Sequence, residues 1–61
     1  MNIAWIDKKD VVTIFEDAER YYLETDGFWR VRKNGSNICI NEMDVKLIGV
    51  ADDVLTDETD S

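Results

Sequence analysis

Histidine is absent from the chain, as is proline, and cysteine occurs once. Without histidine there is no imidazole general base, no Ser–His or Cys–His nucleophile pair, and no histidine ligand for zinc. The lone Cys39 can neither close an internal disulfide nor build a thiolate zinc site, and this usage points to a reducing compartment. Basic residues are scarce as well: 7 Lys and Arg face 14 Asp and Glu, a formal net charge of −7. That balance disfavours binding to nucleic acid or an anionic membrane through charge alone. No apolar run approaches the roughly 20 residues of a membrane span. The stretch Ile3 to Ile6 is followed by Asp7-Lys8-Lys9-Asp10 rather than by small residues, so no secretory signal is read there. The expectation is a soluble, cytoplasmic protein without a membrane partner.

What is present is an ordinary apolar share, 44 % of 61 residues, enough for one small folded domain rather than a disordered chain. Charge divides that chain near residue 51. Residues 1–51 hold nine acids and all seven bases, a net of −2; residues 52–61 hold five acids and no base. The first part reads as a single small β domain, and 52–61 as an acidic, solvated tail.

Asn34-Gly35 is the strongest local signal, because a two-residue type I′ turn needs positive φ at both positions. Its flanks, Phe28–Lys33 and Ser36–Ile40, alternate, with Trp29, Val31, Ile38 and Ile40 on the inward face. A further strand is expected from Val45 to Val50, with Val45 and Leu47 on one face and Lys46 and Ile48 on the other. Asp26-Gly27 marks another turn. Residues 11–24 admit two readings. Val11, Ile14, Phe15, Ala18, Tyr21 and Tyr22 share a face at helical spacing, with Asp7 as a cap, giving a helix within 8–24 and an α+β fold. Their β-branched and aromatic content instead favours two strands, Val11 to Glu16 and Arg20 to Glu24, broken at Asp17-Ala18. The strand reading gives a mainly β fold: a small antiparallel meander or partly open barrel in which each strand neighbours the next.

The succession Val12-x-Ile14, Ala18, Tyr21-Tyr22, Gly27, Val31, Gly35, Ile38, Val45 and Ile48 resembles that of short β-rich proteins of bacteriophage and prophage genomes. The resemblance spans most of residues 11–50 and lies in hydrophobicity and turn positions. It implies a small twisted sheet or open barrel, sometimes acting on a host protein, and carries no functional residues over.

Four groups of side chains are candidates for function. Phe28, Arg30 and Arg32 share a strand face, and aromatic plus basic residues on an exposed strand suit single-stranded nucleic acid. The competing reading pairs Arg30 and Arg32 with acids such as Glu24 and Glu42. Six aromatic side chains exceed what so small a sheet can enclose, which leaves Trp5 and Tyr22, opposite an inward Tyr21 and Leu23, as exposed contact residues. Asp52, Asp53, Val54 and Leu55 place two apolar residues amid acids, able to fold back on the sheet or to dock a basic groove. The tail acids lack the spacing and the glycine of a calcium loop. Cys39, between two isoleucines, reads as a buried, inert thiol.

The functional expectation is a non-catalytic protein-binding module with no cofactor and no metal site. A phage-type inhibitor of a host protein or nucleic-acid machine fits the resemblance. The partner would be a protein, basic or itself nucleic-acid-binding. A single-strand nucleic-acid binder using Phe28, Trp29, Arg30 and Arg32 is the alternative from another class. A homo-oligomeric structural protein is a third, since an open sheet leaves edges to pair. Acidic mimicry of a phosphate backbone is weakened by the near balance of residues 1–51.

Overall fold

A computed structural model describes residues 1–55. Its elements run β1 (Ile3–Asp7), β2 (Val12–Phe15), β3 (Arg20–Leu23), β4 (Phe28–Lys33), β5 (Ser36–Asn41), a 3-10 turn over Glu42–Asp44, β6 (Val45–Val50) and a short helix α1 (Ala51–Leu55). The class is mainly β, and residues 8–24 form strands rather than a helix. Asp7 does not cap a helix. Its Oδ1 accepts from the backbone N–H of Lys9 and of Val11, which folds the β1–β2 turn.

The strands form two antiparallel three-stranded sheets, ordered β2-β1-β6 and β3-β4-β5. A meander is therefore present in β3-β4-β5, but it does not extend through the chain. It breaks twice, because β1 takes the central place between β2 and β6. The two sheets do not close into a barrel. No helix of the described residues is long and apolar enough to cross a membrane.

Turn chemistry fixes the second sheet. Asn34 and Gly35 have φ of 54° and 76°, and Lys33 faces Ser36 across them, as a two-residue type I′ hairpin requires. At the β3–β4 turn, Asp26 Oδ1 accepts from the Phe28 N–H, and Gly27 takes a φ of 87°. The crossing between sheets turns on Asp17, with a φ of 58°. Beyond it, Ala18 is buried, and its N–H and carbonyl bond to the carbonyl and nitrogen of Met1.

The inner faces share one core. Ile3, Ala18, Val31 and Ile40 are its buried centre, with Trp5, Phe15, Tyr21, Trp29, Ile38, Val45 and Ile48 packed around them. Tyr21 and Trp29 stack with centroids 6.0 Å apart. The inward set Trp29, Val31, Ile38 and Ile40 is as the alternation predicts. Leu23 departs from its expected inward place and is exposed at the end of β3.

In β6 the alternation fails for a specific reason. Asp7 pairs with Val45 and Ile6 with Leu47, so Lys46 is an extra residue in a β-bulge. The bulge puts Val45 and Ile48 on the core side and turns Leu47 outward, correcting the expected grouping of Val45 with Leu47.

Beyond the bulge, Gly49 lies opposite Ala4 on the outer face, where α1 packs. A Cβ at Gly49 would come within 3.2 Å of Val54 Cγ2. Gly49→Val is expected to displace α1 and to destabilise the fold by about 1–3 kcal/mol, the usual range for overpacking. Gly35→Ala is expected to cost about 1 kcal/mol through its positive φ alone. Urea unfolding followed by tryptophan fluorescence measures both.

Candidate binding faces

Each sheet buries one face, so each presents the other to solvent, and the two outer faces differ in chemistry. On β3-β4-β5 the outward residues are Arg20 and Tyr22 from β3, Phe28, Arg30 and Arg32 from β4, and Asn37, Cys39 and Asn41 from β5. The arginines are committed locally. Arg30 donates to Asp26 Oδ2 at 2.7 Å, and Arg32 Nε lies 3.4 Å from Glu19 Oε1. The expected pairing with acids is thus present, but with Asp26 and Glu19 rather than Glu24 and Glu42. The reason is proximity: the β3–β4 turn carries Asp26 four residues before Arg30. Arg20 lies over the Tyr22 ring, 5.8 Å from its centroid. Tyr22 is therefore half-covered rather than the open aromatic expected. Of the proposed nucleic-acid set, Trp29 is on the other side, stacked on Tyr21 in the core. Phe28 remains exposed.

Cys39 is exposed, a correction to the buried thiol. With Ile38 and Ile40 facing inward, period two sends the residue between them out, opposite Arg30. Trp5 is likewise corrected. It sits on the inner face of the central strand β1, packed against the core, and its indole N–H is buried without an acceptor. Beside it, Asp7, Lys8, Lys9 and Asp44 line a shallow cleft of about 260 Å³. Among the described residues, no group of three or more Cys, Asp or Glu side chains is placed to hold a metal ion.

The outer face of β2-β1-β6 carries a different set. Ile6 of the central strand pairs with Val12 on one side and Leu47 on the other. The three side chains form one apolar row across the sheet. The next row is Ile14, Ala4 and Gly49. α1 covers Ala4 and Gly49, leaving Ala4 fully buried, yet Val12, Ile14 and Leu47 stay 46 %, 47 % and 49 % exposed. Leu55 at the end of α1 is 45 % exposed. Of the tail candidates, Val54 packs back on β6 while Asp52 and Asp53 face solvent on the helix. Residues 56–61, with Asp57, Glu58 and Asp60, lie outside the described residues.

Sequence reasoning named Leu55 but missed Ile6, Val12, Ile14 and Leu47 as surface residues. The available signal was that β1 and β2, Ile-Ala-Trp-Ile-Asp and Val-Thr-Ile-Phe, are apolar on both parities or nearly so. A strand apolar on both sides belongs between two covering layers. This chain supplies only one such layer in full.

Comparison of the chain with protein-family models, curated proteins and solved structures finds no match.

One electrostatic feature of the second sheet is directly testable. The Arg30 hydrogen bond, aided by the Phe28 N–H, holds the Asp26 carboxyl below its ordinary value of 3.8. A carboxylate depressed in the folded state stabilises that state above the unfolded-chain pKa, and the benefit disappears as pH falls through the folded one. Asp26→Asn is expected to be less stable than the parent chain at pH 7. The gap should narrow below about pH 4, the ordinary Asp range. Urea midpoints of both chains across pH 2–7 check this.

Proposed function

We propose that the chain is a non-catalytic module that binds another protein through the outer face of β2-β1-β6. The observation that carries this reading is the Val12–Ile6–Leu47 row. Together with Ile14 it leaves contiguous branched aliphatic surface in water on a rigid sheet. Contiguous apolar surface of this kind marks contact sites more often than isolated exposed residues do. The non-catalytic part rests on composition: histidine is absent, so no imidazole is there to act as a general base or to pair with a nucleophile.

The single-strand nucleic-acid reading has less support. Both of its arginines, Arg30 and Arg32, are engaged by carboxylates, and Trp29 lies in the core. Arg20 and Arg32 directly opposite each other remain its best feature, since like charges in that position oppose strand pairing.

The two faces can be separated by substitution. The full chain is immobilised and exposed to lysate of its source cells, beside Ile14→Ser/Leu47→Ser and Arg20→Ala/Arg32→Ala variants. Both pairs are on the surface, so the fold is expected to survive, which circular dichroism verifies. The reading expects a protein retained by the parent chain to be lost from the Ile14/Leu47 variant and kept by the arginine variant. The opposite pattern, or a nucleic acid recovered instead, overturns it.

A further inference from the structure

Four strands have a side that no other strand of the described residues pairs: β2 and β6 in one sheet, β3 and β5 in the other. Folded proteins discourage pairing at such edges with shortness, charge, proline or a bulge. β2 and β3 are four residues long, and β3 opens on Arg20. β6 is interrupted by its bulge at Lys46. β5 has none of these features. It runs for six residues, Ser-Asn-Ile-Cys-Ile-Asn, without charge or proline and in unbroken register with β4.

The hydrogen bonds of β4 show what the β5 edge offers. The carbonyls of Phe28 and Arg32 accept from the N–H groups of Glu24 and Glu19, on the β3 side. In an antiparallel ladder a strand residue directs both backbone groups to one side, and the side alternates along the strand. The β5 residues opposite Phe28, Arg30 and Arg32 are Asn41, Cys39 and Asn37. These three therefore turn N–H and C=O away from β4, and no strand of the described residues takes them.

That row is complementary to itself when one copy is turned end for end. With Cys39 on a two-fold axis, Asn37 pairs with Asn41 of a second copy, and Cys39 with Cys39. Each copy offers three donors and three acceptors, so the two copies make six hydrogen bonds and leave none of these groups unpaired. On the core side, the same register sets Ile38 opposite Ile40 of the second copy, and Ile38, half-buried in one chain, gains cover. Charge favours the antiparallel sense. Lys33 faces Ser36 at the start of β5, and Glu42 and Asp44 follow its end. None of these three charged residues is in an ion pair among the described residues. Antiparallel pairing brings the cationic tip of each copy to the acidic turn of the other, whereas parallel pairing sets like beside like. Residues 19–41 hold four bases and three acids, so the meeting sheets do not carry the acidic excess of the chain. We infer that β5 pairs with β5 of a second copy of this chain, antiparallel about a two-fold axis at Cys39, giving one continuous six-stranded sheet. The contact does not use the outer face of β2-β1-β6.

The test follows amide exchange of the full, isotope-labelled chain at low and high concentration. The Asn37, Cys39 and Asn41 amides are expected to exchange at least about tenfold more slowly at high concentration. Register is read by cross-linking with a short bis-maleimide. Cys39→Ser/Asn37→Cys and Cys39→Ser/Asn41→Cys are expected to cross-link when mixed, the paired residues being about 5.5 Å apart. Each alone is expected to cross-link poorly, since its two thiols are then about 14 Å apart, four residues along the strand. Asn37→Pro should weaken the dimer at least about tenfold, because it removes two of the six hydrogen bonds and sets a ring against the second copy. It takes nothing from the β4 ladder, so the fold is expected to survive, which circular dichroism verifies. The cysteine variants also keep the β4 ladder and read the register where the proline variant fails to fold. Protection of the three amides that is independent of concentration places their cover within one chain, and absence of protection leaves the edge bare; either overturns the inference. Equal cross-linking of each cysteine variant alone and of the mixture, or an undiminished dimer of a folded Asn37→Pro chain, also overturns it. Concentration-dependent shifts confined to Val12, Ile14 and Leu47 would assign self-association to the other sheet and overturn it too.

Discussion

A chain of 61 residues can enclose little more than one apolar layer, and that constraint orders the rest of the molecule. Two three-stranded sheets have four faces between them. Only the two inner faces are buried together, around Ile3, Ala18, Val31 and Ile40. α1 covers part of a third, at Ala4 and Gly49. What the protein presents to its surroundings is therefore set by what its strands carry on their unburied parity. The sheet around β4 carries arginine, asparagine and cysteine there, whereas the sheet around β1 carries valine, isoleucine and leucine. The second choice exposes aliphatic surface at some risk of self-association, so a small protein that keeps it invites a functional explanation.

How much of this was legible in the sequence follows from how local the determining physics is. The β4–β5 hairpin was legible because Asn34-Gly35 dictates a turn, the turn dictates a register, and the register dictates which isoleucines face in. The strands of residues 11–24 were legible from β-branched content, although helical spacing competed. Sheet partnership was not. Nothing within Ile3–Asp7 says that β1 pairs with Val45–Val50 some forty residues later, so a meander was the natural extrapolation. The outward turn of Leu47 was also hidden, because a bulge at Lys46 is imposed by the pairing with Ile6 and Asp7 rather than by β6 itself. The apolar face depends on both of these nonlocal facts. That is why the aromatic residues, conspicuous in the sequence, drew attention to Trp5 and Tyr22, while the aliphatic residues that form the face did not.

The arginine-bearing sheet shows the opposite relation. Its basic appearance in sequence, Phe28 to Lys33 without an acid, is reversed in three dimensions by residues just outside the segment. Asp26 engages Arg30, and Glu19 reaches Arg32 from the position just before β3. Such exposed pairs add little to stability each. Their larger effect is to neutralise the face locally, which reduces its pull on phosphates in a chain already negative overall. Arg20, opposite Arg32 in the register, lies over the Tyr22 ring, a cation–π contact that covers part of the ring.

The acidic balance then has a positional meaning. Residues 1–51 are nearly neutral, and the excess charge begins at Asp52, where the chain leaves β6 and packs α1 onto the apolar face. Val54 lies against Gly49, so the first two acids of the excess are carried on a packed element rather than on a free stretch of chain. The same short helix thus does two things. It buries the Ala4–Gly49 part of the outer face, and it carries the first two acids of the excess in its first turn.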